Sequence, residues 1–274
     1  MSVFEAIVLG ITQGLTEFLP VSSTAHLRIV PAFAGWEDPG AAFTAVVQLG
    51  TMAAVLLYFR SDLIRIGLAW LRSFRDHRVR GSLDARLGWY ILIGTIPIGI
   101  FGLLFKDQIE NGARDLYLIG TMLILLGLLL LAAERAATHE RPLETITRRD
   151  GILIGLAQAL ALVPGVSRSG STLTAGLFLG FDRPSAARFS FLLSVPAVVL
   201  SGLFEFASIL DGSEDTQVGL GALAIATLMA FVVGYASIAW LLRYLTSHST
   251  LVFVVYRVAL GVLVLVLVAT GAIH

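Results

Sequence analysis

Glu17, Ser23 and His26 fall within one short stretch, LTEFLPVSSTAHLRIV at residues 15–30. A hydroxyl beside a carboxylate and an imidazole is the makings of a nucleophile with a proton acceptor in reach. Gln13 stands four residues before Glu17, so the two share one face of a helix. Pro20 ends that helix, and Ser22 or Ser23 is placed to cap the next one. His26 follows Ser23 by three residues, which puts both on one face if the second helix begins there. Each group has a plainer use, the hydroxyls in packing and Gln13 in a helix–helix hydrogen bond. Gathered around a proline break, they read together as a polar site.

A second cluster, PGVSRSGST at 164–172, suits anions. Gly165, Gly170, Ser171 and Thr172 nearly spell the nucleotide-binding P-loop, but Ser171 stands where its lysine belongs. No strand pattern precedes the run either, so an ATPase is excluded. Glycines still let backbone N–H groups approach an anion, and a helix N-terminus still favours negative charge. Arg168 adds a planar, permanently charged fork matched to phosphate oxygens. The expected phosphate-binding set is Ser22, Thr24, Ser167, Ser169, Gly170 and Thr172. An ion pair between Arg168 and Glu17 is the structural alternative for that arginine. Gln13 and Gln48 are candidates to line the same cavity.

The elements that must position these groups are apolar. Of 274 residues, 57% are hydrophobic and 14% charged, with a mean hydropathy of +0.86. Soluble domains carry about a quarter charged residues, so the chain is expected to be an all-α integral membrane protein. Net charge is zero and there is no cysteine, which gives no support to a nucleic-acid partner and excludes thiolate chemistry. The N-terminus lacks a basic region and a small-residue cleavage site, so residue 1 is taken as the mature start. Clean apolar spans are expected near 40–59, 87–105, 116–134, 186–209, 218–243 and 251–272. Segments 3–35 and 151–181 are long enough to cross but broken, by Pro20 and by Pro164-Gly165. Arg257 and Glu205 are expected to lie near span ends and snorkel, and Arg28 near the outer interface.

Loop charge sets an orientation. Arg60, Arg65, Arg72, Arg75, Arg78, Arg80 and Arg86 crowd the 60–86 loop, and Arg135, Arg141, Arg148 and Arg149 the 135–150 loop. Both are expected in the cytoplasm, and the acidic 210–217 loop outside. Parity then requires 151–181 to enter and return on the cytoplasmic side. The first broken segment re-enters from outside, with both termini outside. The result is six transmembrane helices and two re-entrant helix–loop–helix segments, in inverted repeats of about 1–134 and 151–274. GITQGLTEFLPVSS at 10–23 resembles GLAQALALVPGVSRS at 155–169, with Gly10 and Gln13 recurring as Gly155 and Gln158. Broken helices in matching halves mark a binding site.

With Gln13 before GLTEFLPVSSTAH, and PGVSRSGST in the second half, the chain resembles the bacterial undecaprenyl-diphosphate phosphatases of the bacitracin-resistance type. The resemblance runs over essentially the whole length. It implies a plasma-membrane lipid phosphatase that converts undecaprenyl diphosphate to the monophosphate carrier of peptidoglycan synthesis. It also implies dependence on a divalent cation, Mg²⁺ or Ca²⁺, with Glu17 a candidate ligand. The family signature allows Glu or Gln at the first of its two acidic positions. A neutral Gln13 here removes one of the two carboxylates that a metal held by both would need. The expected mechanism has Ser23 attack phosphorus, His26 take the proton, and Glu17 orient the imidazole or bind the cation. Water activated by His26 or Glu17 is the alternative nucleophile. A transporter or flippase of the polyprenyl phosphate carrier is the alternative function, alone or combined with the phosphatase.

Overall fold

The computed structural model describes residues 1–105, 115–210 and 218–273, leaving aside the side chains of Ala41, Ser201 and 203–210. The expected acidic outer loop and the Glu205 side chain fall outside these residues. Eleven α-helices are described. The first broken segment gives α1 (Val3–Phe18) and α2 (Ser23–Ala34), and an unbroken α3 follows (Gly40–Tyr58). Next come α4 (Arg60–Ser73), α5 (Leu83–Leu104) and α6 (Leu116–Ala136). The second broken segment gives α7 (Arg148–Ala159) and α8 (Arg168–Phe178). The chain then runs through α9 (Arg183–Leu210), α10 (Leu220–Tyr244) and α11 (Leu251–Ala269). Both breaks fall where the prolines place them, and no strand is described; a lone parallel bridge joins Arg141 to Phe181.

Among the described residues, α5, α6, α10 and α11 are long and apolar enough to cross a membrane. Their outward faces carry large apolar side chains such as Leu103, 78% exposed, and Leu220, 84% exposed. Such surface on helices long enough to cross a hydrocarbon core suits lipid, and the chain is a multi-pass membrane protein.

Lipid tails are as apolar as leucine, so close packing and polar contacts must hold the helices together. Small residues provide the close approach. Helix α1 lies on α10 through Gly10, where an added Cβ would stand 2.4 Å from the Ala226 carbonyl oxygen. Helix α7 lies on α5 in the same manner, with a Cβ on Gly155 only 2.4 Å from Gly94 Cα. Helices α6 and α11 form a third close pair through Gly120 and Gly261.

Helix α4 was not expected. It leaves α3 at 71°, in a stretch whose arginines read as a loop. Its residues alternate with helical period: Ile64, Leu68 and Leu71 form an exposed apolar stripe, while Asp62 and Ile66 face inward. That is the pattern of a helix lying along an interface. Asp62 accepts from Arg65 at 2.9 Å and from Arg188 of α9 at 2.7 Å, tying α4 to the helix core. A similar tie closes the entry to α7. Burial opposes ionisation of Asp150, but hydrogen bonds from Arg141 and Thr147 outweigh it and hold the carboxyl below its ordinary range.

Candidate functional site

Both breaks end in the same backbone conformation. Ser22 has φ 74° and ψ 101°, and Ser167 has φ 74° and ψ 118°. A serine held at such angles costs on the order of 1–3 kcal/mol, and residues of this kind concentrate at functional sites. Each directly precedes a helix N-terminus. Ser167 caps α8 by accepting from Gly170 N–H at 3.1 Å. Ser22 occupies the cap position of α2 but makes no side-chain cap bond; its hydroxyl lies 3.2 Å from that of Thr24. Gly165, at φ 87°, makes the turn before Ser167. A Cβ there would meet Ile119 O at 2.7 Å, so the position excludes other residues on both counts.

Glu17 is the hub where the two breaks meet. Its Oε1 accepts from Arg168 Nη2 at 2.5 Å, and its Oε2 from Ser23 Oγ at 2.7 Å and Gln13 Nε2 at 3.1 Å. Arg168 also donates from Nη1 to the Ser194 carbonyl at 3.2 Å. The Glu17–Arg168 ion pair is thus present, with side chains 9% and 14% exposed. It does not exhaust the guanidinium, whose five donors leave N–H groups over for a ligand. Gln13 Oε1 is buried without a partner among the described residues, and Gln13 Nε2 also points at Thr51 Oγ1, 3.5 Å away. Thr24 is exposed on the first turn of α2, while Ser23 and Arg168 are partly open.

The structure does not bring His26 to Ser23 or Glu17. The His26 ring points back along α2, where Nδ1 meets the Ser22 carbonyl at 2.7 Å. A carbonyl only accepts, so Nδ1 carries the proton. In the neutral ring, Nε2 then accepts from the Tyr256 hydroxyl at 2.6 Å, with the two rings stacked. Helical spacing alone put His26 beside Ser23; the Ser22 carbonyl, which also accepts from the His26 backbone N–H at 3.3 Å, holds the imidazole instead. Glu17, not His26, accepts the hydrogen bond from Ser23.

Thr172 also lies elsewhere than expected. It is fully buried, bonded to the Arg168 carbonyl at 2.8 Å and the Ser190 hydroxyl at 2.5 Å, and so fastens α8 to α9. Ser169 is buried and donates to the Leu19 carbonyl at 3.0 Å, linking the second break to the first. Gln48 is half-buried on α3, one turn before Thr51. Arg28 pairs with Asp38 at 3.3 Å.

The expectation that Arg257 snorkels fails: it is wholly buried and holds both breaks. Tyr256, Thr51 and Arg257 are the polar neighbours that motif reading missed. Arg257 alone carried a signal, as the only charge in the run LVFVVYRVALGVLVLVLVA.

In the second half, Gln158 is buried with neither side-chain polar atom partnered among the described residues. Four residues on stands Leu162, where the first half has Glu17. The two breaks share a backbone conformation but not their side chains: the acid and the hydroxyl bonded to it come from the first break, the guanidinium from the second.

Fold and site together define a multi-pass membrane protein with a carboxylate, a hydroxyl and a guanidinium joined where two broken helices meet. The family model described as bacitracin resistance protein BacA matches residues 6–263, and the chain belongs to that family. It is 57% identical over 98% of its length to an undecaprenyl-diphosphatase of Nocardioides sp., covering 97% of that protein. A Myxococcus xanthus protein of the same name is 58% identical, with 99% of this chain and 91% of the relative covered. One from Prosthecochloris aestuarii is 52% identical with both chains fully covered.

Proposed function

We propose that the chain hydrolyses undecaprenyl diphosphate to undecaprenyl phosphate and inorganic phosphate at the junction of the two breaks, recycling the carrier lipid for peptidoglycan synthesis. The observation that carries the reading is the single carboxylate of Glu17 joined to both Ser23 and Arg168. A hydroxyl poised on a base, beside an anion-binding fork at two helix N-termini, is what phosphoryl transfer needs. Ser23 Oγ attacks the terminal phosphorus, its proton passes to Glu17, and the lipid monophosphate leaves. Water then releases phosphate from the serine. Arg168 and the N–H groups at the starts of α2 and α8 hold the oxygens throughout. The test is phosphate release from the diphosphate lipid by purified protein in detergent.

A divalent cation, Mg²⁺ or Ca²⁺, belongs to the same proposal. No group of three or more His, Asp or Glu side chains gathers among the described residues. The fit is therefore to a hard cation carried mainly by the substrate's own oxygens. Glu17 and the unpartnered Gln13 Oε1 are the protein oxygens able to join it. Bound there, the cation would neutralise charge on the diphosphate.

Replacing Arg168 by lysine is expected to lower kcat/KM by about 1.5–3 kcal/mol, roughly ten- to a hundredfold, because one ammonium cannot hold Glu17, Ser194 O and a phosphate together. Steady-state kinetics on the two proteins decide it, and near-normal kcat/KM in Arg168→Lys would reduce the residue to a diffuse positive charge.

The finer topology is also proposed: six spans, two re-entrant segments, both termini outside the bacterial plasma membrane. It is supported by the matched packing of α1 on α10 and of α7 on α5, and by the arginine-rich loops. Ser73 is buried and makes a poor labelling site; exposed His77 and Thr138 serve instead. His77→Cys and Thr138→Cys should resist an impermeant thiol reagent in intact cells, and Ser2→Cys should react. The reverse pattern overturns the orientation.

A further inference from the structure

Arg257 is fully buried on α11 and has no carboxylate partner among the described residues. A charge at such depth costs about 2.5–3.5 kcal/mol on insertion scales, so it needs compensation and marks function. Its compensation is entirely backbone carbonyls. Nη1 donates to Pro20 O at 3.0 Å, in the first break. Nη2 donates to Gly165 O at 3.0 Å and Val166 O at 2.9 Å, in the second. Nε donates to Leu123 O of α6 at 3.3 Å. The guanidinium also lies under the first turn of α8, where a Cβ on Gly170 would stand 2.8 Å from Nη1.

These carbonyls have a common address. Pro20 lies two residues before strained Ser22, and Gly165 and Val166 immediately before strained Ser167. One rigid fork thus spans the two turns that launch α2 and α8. The outer edge of the first turn is held by the preceding residue of α11, since Tyr256 bonds His26. A residue needed only to pack α11 on α6 would be apolar, like its neighbours Val254 and Val264.

We infer that Arg257 is the positioning residue that sets the separation of the two helix breaks, holding Ser23 and Glu17 against Arg168 so that one phosphate meets both halves at once. The inference rests on the phosphatase reading. Lysine retains the charge but has a single nitrogen, which cannot reach Pro20 O and Gly165 O as the two ends of the fork do. The substrate still binds either half, but the attacking oxygen and the held phosphorus lose their alignment. Misplacement on the ångström scale costs about a hundredfold in rate.

The experiment is Arg257→Lys in detergent, with kcat and KM for undecaprenyl diphosphate measured alongside the melting transition. The expected result is a folded protein with kcat about a hundredfold lower and KM within about threefold of wild type. A folded variant with kcat within threefold of wild type overturns the inference. So does a loss that merely follows the folded fraction, which would make Arg257 a folding staple. If Arg257→Lys does not fold, Arg257→Ala with added guanidinium decides. Activity per folded molecule should rise with guanidinium and not with methylammonium; equal activity per folded molecule with either, or no folded protein, overturns the inference. Wild-type protein that releases no phosphate defeats the phosphatase reading and this inference with it, and is recognised because no substitution is involved.

Discussion

Glu17→Gln is expected to lower kcat by three orders of magnitude or more while leaving a protein that still inserts and folds. Removing a general base costs about 10²–10⁴-fold in rate. Here the same carboxylate also positions Ser23 at 2.7 Å and holds Arg168 at 2.5 Å. Glutamine offers one oxygen in place of two. Turned to accept from Arg168, it presents an amide N–H to Ser23 and Gln13 Nε2, which then have no acceptor. Turned the other way, it sets its NH₂ against the guanidinium. Neither rotamer satisfies all three partners, and breaking a buried ion pair from one side destabilises by about 3–5 kcal/mol. Because the pair retains some exposure, 9% and 14%, the stability loss should fall below that range. Glu17→Asp keeps the charge on a shorter arm and should retain more turnover than Glu17→Gln. Steady-state hydrolysis and thermal melting of the three proteins separate the two effects. A folded Glu17→Gln within tenfold of wild type would make Glu17 a structural tie and leave Ser23 without its base.

Much of this arrangement is legible in the sequence, because prolines and glycines act locally. Pro20 and Pro164-Gly165 announced the two breaks, and the runs between charged loops gave the long helices to within a few residues. The Gln13–Glu17 pairing also follows from helical spacing, whereas the Glu17–Arg168 ion pair is the structural alternative to the phosphate ligand that the flanking hydroxyls favour for that arginine. What failed depended on contacts that local spacing does not report. His26 could be placed on one face with Ser23, but not aimed, since its spacing from Ser23 does not report its two partners, the Ser22 carbonyl one turn back and the Tyr256 hydroxyl of α11. Thr172 looked like a ligand by its neighbours, yet helical period carries it to the α9 side against Ser190. Arg257 lies near a span end in the sequence, but distance along a span does not report burial. Its partners are carbonyls from segments 92 and 237 residues away in the chain, and no local pattern reports them. Helix α4 was hidden by its arginines, which on an interfacial helix are compatible with helical structure.

The serine route makes the second large prediction, which depends on Ser23 being more than a hydrogen-bond donor. Its hydroxyl is partly open, sits at the first position of α2, and has its proton directed at Glu17. Phosphorus held by Arg168 and the N-terminal N–H groups of α2 would therefore lie in front of that oxygen. Ser22 makes a poor substitute, being buried with its hydroxyl turned toward Thr24 and no acid in reach. Turnover by this route passes through a phosphoserine, whereas attack by water on the lipid diphosphate does not. Rapid acid quench with substrate labelled in the terminal phosphate should capture label on the wild-type chain, and Ser23→Ala should carry none. Ser23→Ala should also lose at least a thousandfold in kcat, the scale set by removing a nucleophile with its base still in place. Under the serine route, Glu17→Gln slows both formation and hydrolysis of the phosphoserine, because the same carboxylate serves each step. A Ser23→Ala protein that keeps a tenth of wild-type turnover, or a label found on Ser22, would move the attack to water or to the neighbouring hydroxyl. Glu17 and Arg168 would then remain the groups that hold and deprotonate the attacker.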